Sequence, residues 1–264
     1  MTDATNLLGN AAWSNYLIGA LLLLVRISGA IAFLPVFSSD AIPVRVKVGF
    51  TLALTFLLVP VAAAPSSTQI AFGPGPIAGE LAVGLLLGLC LRLIEEVVTL
   101  TGHVLNLEFS FSLVNVIDPT SHIETPLMSQ LMQLFFLLVV VASGLHRVMI
   151  AALMRTLVVV PLGHAWFDAH TATAISRIFG GVLLGGIQLA APVVAAAFLV
   201  EIAVSLAGKL SPQLPVMIVG IPLKTLTGYV VLLASVGLWP RYIESHFSSL
   251  LDTAFALLQH QVQS

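Results

Sequence analysis

Gly102–Gln130 reads GHVLNLEFSFSLVNVIDPTSHIETPLMSQ, near the middle of the chain and between long apolar runs. Phe109, Phe111, Leu113, Val116 and Ile117 are interleaved with Ser110, Ser112 and Asn115, and the stretch then reaches Asp118-Pro119. Pro119 fixes its own φ and disfavours the helical region for Asp118, so the pattern predicts an interruption of regular helix here. Irregular backbone at membrane depth is tolerated only when it is buried in protein or lines a watery cavity. Two readings follow: a pore loop or plug covering about residues 106–126, or an amphipathic loop at the membrane surface.

The rest of the chain decides that a membrane is involved. Of 264 residues, 58% are hydrophobic and only 8% charged, with a mean hydropathy of +1.07. A soluble domain carries about 25% charged residues, so the composition describes an integral membrane protein. The length suits one domain, residues 1–264, all-α in class. A net charge of −2 with no basic cluster gives nucleic acid nothing to bind. Met1–Asn15 lacks a basic n-region, so the first apolar segment is expected to be retained.

Outward from the central stretch, nearly every apolar run carries a break. Tyr16–Phe37 has Arg26 at its middle, where an arginine needs protein, water or a carboxylate rather than lipid. Val48–Ala64 meets Pro60, and Ser66–Pro76 reads as a proline- and glycine-rich loop, GPGP being a rigid turn. Ile77–Leu100 is expected to be helical, with Glu80 in its first turn and Gly84 and Gly88 at small-xxx-small spacing. Arg92, Glu95 and Glu96 read either as that helix emerging into an aqueous or interfacial layer or as an ion site or partner-binding charge cluster. Beyond the central stretch, Ser143-Gly144 breaks a run that resumes with His146-Arg147 and stops at Pro161. Ile178–Gly208 contains Pro192, expected to kink it, and Glu201. Ser211–Pro222, with Pro212, Pro215 and Pro222, is expected to interrupt helix so that Lys224 opens the next one. The apolar residues of about 241–260 recur at amphipathic helical spacing, suited to an interface or a partner. Such runs suit helical hairpins that bury their polar breaks against neighbouring subunits.

Chemistry is thinly represented. The seven histidines form no tight ligand spacing, the single Cys90 sits in an apolar run, and no phosphate loop is present. No cofactor, metal or catalytic residue is expected. A small-solute secondary transporter is the alternative of another class, with Arg26, Glu80, Glu201 and Lys209 as coupling residues. No repeat between the two halves supports it.

Three stretches resemble the FliR family of flagellar export-gate proteins and its virulence type III secretion relatives. Gly102 with Ser110-Phe111-Ser112, Asp118-Pro119 and Pro126 is similar to the family's Gly-Phe-Ser…Asp-Pro…Pro segment. Ser143-Gly144-Leu145-His146 is similar to its Asn-Gly-His break. Pro212-Gln213-Leu214…Gly220-Ile221-Pro222-Leu223-Lys224 is close to its Pro-Gln-Leu-Asn…Gly-Phe-Pro-Leu-Lys block. Ser110, Ser143, Pro215 and Ile221 depart from the residues usual at those places. The resemblance implies a non-enzymatic, all-helical subunit of the inner-membrane export gate at the flagellar basal body, in contact with membrane lipid. It implies FliP-like and FliQ-like partners, an FlhB-like neighbour, and unfolded secreted proteins as substrates. An injectisome homologue is the alternative within the family. The plug would comprise Phe109, Ser110, Phe111, Ser112, Leu113, Asn115, Val116, Ile117, Asp118 and Pro119. Arg26, Arg147, Glu201, Pro212, Gln213, Gly220, Pro222 and Lys224 are the expected subunit-interface residues.

Overall fold

The computed structural model describes the backbone of residues 2–37, 42–62, 72–109, 127–165, 169–211, 213 and 216–263. Among these the structure is all helix: α1 (Thr2–Phe33), α2 (Val44–Ala62), α3 (Pro74–Glu108), α4 (Leu127–Ala142), α5 (Leu145–Val159), α6 (Ala169–Leu210), α7 (Val216–Val236) and α8 (Trp239–Gln263). A short 3-10 turn, Pro35–Phe37, follows α1. Trp13–Phe33, Pro74–Glu108, Ile178–Leu210 and Ile218–Val236 are each long and apolar enough to cross a membrane, and α4 with α5 would make a broken fifth span. The chain forms two compact units: Met1–Arg92 with Gly144–Arg177 and Phe247–Ser264, and Leu93–Ser143 with Ile178–His246.

Several prolines expected to stop helix do not. Pro74 and Pro76 lie in the first turn of α3, where their missing N–H groups have no intrahelical acceptor to lose; Ile77 N–H donates to Gly73 O at 3.2 Å. GPGP is therefore a helix start. Pro60 and Pro222 are inside helices, as is Pro192, which was expected only to kink its run. Pro60 falls in the last turn of α2, where only one bond is forfeited. The Ser143-Gly144 break does occur, with Gly144 at φ 72 ahead of α5. Arg92, Glu95 and Glu96 mark no helix end, because α3 runs on to Glu108 and buries Leu93 and Ile94 on the way.

In the first unit, α1 and α3 meet backbone to backbone. A Cβ at Gly88 would stand 2.6 Å from Ala30 O, and one at Gly84 would collide with Arg26 O. Only glycine permits that approach, which is what their spacing predicted.

The same closeness buries Arg26. It is 0% exposed and its Nε–H donates to Glu80 Oε2 at 2.5 Å, Glu80 being equally buried. Nη1 donates to Thr156 O at 3.1 Å and to Val160 O at 2.9 Å. Thr156 is in the last turn of α5, where its carbonyl also accepts the Val160 N–H at 2.9 Å, and Val160 caps the helix, so both carbonyls lie at the negative end of the helix dipole. Glu80 Oε1 accepts the Gly163 N–H at 2.8 Å, where the chain turns with φ 82. One ion pair thus ties α1, α3, the end of α5 and the following turn. Glu80 is in the second turn of α3, and ion pairing rather than the helix dipole accounts for it. Arg26 meets its partner within the chain and has no exposed surface there.

The apolar stripe of α8 is also used internally. Trp239, Ile243, Phe247, Phe255 and Leu258 are buried, and the Arg155 guanidinium lies 4.5 Å over the Phe255 ring. Arg26→Ala should destabilise the chain by about 3–5 kcal/mol, because it strands a buried carboxylate, whereas Arg26→Met with Glu80→Leu should recover part of that loss. Thermal unfolding in mild detergent reads both variants; an unchanged midpoint for Arg26→Ala would contradict the assigned role.

Candidate functional site at the end of α3

The second unit places the only described member of the expected plug, Phe109, at the last turn of α3. Its N–H still donates to Leu105 O at 3.0 Å, and residues 106–108 remain helical. The ring is 4% exposed and stacks on Tyr229 of α7, with centroids 4.5 Å apart and planes 15° from parallel. Gly228 lies directly beneath it, so any side chain there would strike the ring. Phe109 is thereby an anchor packed on α7, not part of a projecting loop. Ser110, Phe111, Ser112, Leu113, Asn115, Val116, Ile117, Asp118 and Pro119 lie outside the described residues.

Beside this stack is an ion triad. Lys224 Nζ stands 2.9 Å from Glu108 Oε2, the last residue of α3, and also pairs with Glu201 of α6. Lys224 and Glu108 are half-buried, while Glu201 is exposed. Lys224 does not open a helix: α7 begins at Val216, and Lys224 is two turns inside it. A lysine there has no favourable helix dipole to answer, and two carboxylates answer it instead. The triad carries one net negative charge.

Neighbouring contacts fix α3 in this unit. Thr101 Oγ1 donates to Val97 O at 2.9 Å and Gly186 O at 3.2 Å. A Cβ at Gly102 would lie 2.5 Å from the Ser129 Cα of α4, giving this motif glycine a packing reason. Of the other expected interface residues, Arg147, Gln213 and Pro222 are exposed and Gly220 is half-buried against Val204. Pro212 lies outside the described residues. Glu108 and Tyr229 escaped sequence reasoning; the signal that could have found the first is that it is the single acidic residue between Gly102 and Phe109.

The sequence profile of the family described as Bacterial export proteins, family 1, matches residues 17–250. The chain belongs to this family. Among its relatives are the flagellar biosynthetic protein FliR of Bacillus subtilis, 28% identical over 90% of this chain and 93% of that protein. FliR of Escherichia coli is 25% identical over 87% of this chain and 88% of its own. FliR of Aquifex aeolicus is 23% identical over 94% and 95%. The profile's match extends across both the Arg26 cluster and the Lys224 triad.

Because Lys224 has two carboxylate partners, Glu108→Gln or Glu201→Gln alone should leave it paired and the chain accumulating at near-normal levels. The double variant leaves a lysine unpaired within an apolar span, a cost of about 2.5–3.5 kcal/mol on the insertion scale. Quantitative immunoblotting of membranes should show the double variant depleted well beyond the sum of the single effects; additive losses would count against a shared lysine.

Proposed function

We propose that this chain is a subunit of the bacterial flagellar type III protein export gate, in the inner membrane at the flagellar basal body. The observation that carries the reading is the combination of membership in a bacterial export protein family with similarity, along nearly their whole length, to relatives named flagellar biosynthetic protein FliR. It is a structural component of the secretion apparatus and not an enzyme. Neither an injectisome assignment nor a solute transporter finds support among those relatives.

Its partners are FliP-like and FliQ-like subunits with an FlhB-like neighbour, and its cargo is unfolded secreted protein. The exposure of α6 and α7 supports assembly: only 22% and 17% of their most apolar windows are buried within the chain. Arg147, Glu201, Gln213, Pro222 and Lys224 have surface that subunits could cover, and Pro212 and Gly220 belong to the same sequence block. Arg26 drops out of that set.

Residues 110–119 act as the plug, following directly from the anchored end of α3. Phe111, Leu113, Val116 and Ile117 supply apolar bulk that excludes water and ions by dewetting. Ser110, Ser112 and Asn115 bring side chains able to hydrogen-bond backbone groups of an irregular segment.

Deleting residues 111–117 while keeping Phe109 and the flanking helices should leave the complex assembled but leaky. The measurement is ion permeability of liposomes carrying the assembled gate. An assembled deletion complex as tight as the intact one would place the seal elsewhere, and loss of assembly would assign the stretch to packing.

A further inference from the structure

The last turn of α3 is held more firmly than the end of a helix requires. Helix ends fray unless a contact from outside fixes them. Here both residues that precede position 110 are fixed, and by the same helix. Glu108 Oε2 lies 2.9 Å from Lys224 Nζ, and the Phe109 ring stacks on Tyr229 with centroids 4.5 Å apart. Lys224 and Gly228 are four residues apart, so they lie one above the other on one face of α7. Little else of α7 is spent inside the chain: among its described residues only Gly228, Leu232 and Ser235 are buried.

Two of these residues are poor choices for the helices that contain them. A carboxylate in a last turn meets the negative end of the helix dipole, so Glu108 weakens α3 unless a cation answers it. Glycine inside a helix is less favourable than alanine, yet Gly228 is well within α7. The contact between the two helices accounts for both. Lys224 answers Glu108, and Gly228 leaves the space that the Phe109 ring fills, since a Cβ there would strike Cε1. Each helix gives up some of its own stability at the point where α3 ends.

We propose that Lys224, Gly228 and Tyr229 are positioning residues for the plug: they clamp Glu108 and Phe109 and so fix where, and in which direction, the chain leaves α3. The inference rests on reading residues 110–119 as the plug, and it adds that the seal depends on one face of α7. Apolar bulk excludes ions only while it stays at the constriction. A root that can shift by the width of a side chain would let it leave.

The test measures ion permeability of liposomes carrying equal amounts of assembled gate. It compares the intact chain, the deletion of residues 111–117 and variants of the clamp. Gly228→Ala places a methyl group where the ring lies and should raise permeability severalfold, towards that of the deletion. Leucine lacks the Cε1 and Cζ atoms nearest that methyl, so Gly228→Ala combined with Phe109→Leu should be tighter than Gly228→Ala alone. Glu108→Ala removes the other point of the clamp while Lys224 keeps Glu201, and it should leak as well. It decides the matter if Gly228→Ala does not assemble. A plain packing role would lower the amount of gate assembled and leave what assembles tight. That outcome beside a leaky deletion overturns the clamp alone, as does a double variant no tighter than Gly228→Ala. A deletion as tight as the intact gate overturns the plug reading, and the clamp with it.

Discussion

A guanidinium in the middle of an apolar helix is the constraint from which the first unit is built. Arg26 cannot face hydrocarbon without a cost of several kcal/mol, and it has no exposure to water. Glu80 supplies the countercharge, and the last carbonyls of α5 supply acceptors for Nη1. These groups can meet only because Gly84 and Gly88 let α3 lie directly on α1. The glycines and the charges are therefore one device: without the close approach the carboxylate would not reach, and without the carboxylate the approach would bury a lone cation.

The second unit solves a related problem less completely. Lys224 is compensated by Glu108 and Glu201, but Glu201 remains exposed and the triad is net negative. Around it α6 and α7 expose Phe198, Leu199, Ile202, Leu223 and Leu226. The first unit hides the Arg26–Glu80 pair within the chain, while the second displays a charged cluster on an apolar face. That difference fits a subunit whose interior is self-sufficient and whose α6 and α7 faces serve assembly.

Much of this was legible in the sequence, and the failures have physical causes. Arg26 announced that it needed a partner, but the partner is 54 residues away, a distance that no local spacing rule covers. Gly84 and Gly88 announced a close helix contact and make one. Prolines misled where only their missing N–H was weighed: Pro74 and Pro76 start α3, where no N–H is needed, and Pro222 is carried within α7. Lys224 was expected to begin a helix at a subunit interface; α7 begins earlier and two carboxylates come from the same chain. Phe109 looked like one more aromatic of an interleaved loop. Its stack on Tyr229 depends on Gly228, which only the tertiary structure brings beneath it.

The central claim is that Arg26 and Lys224 find their countercharges inside the chain, leaving the apolar faces of α6 and α7 for other subunits of an export gate. A cryo-EM structure of the chain purified in mild detergent with its accompanying membrane proteins tests this most directly. The account predicts helices of FliP-like and FliQ-like subunits covering Phe198, Leu199 and Leu226, with Arg26 still buried against Glu80. A chain that purifies alone with those residues facing detergent, or an assembly in which Arg26 turns to a partner subunit, would contradict it.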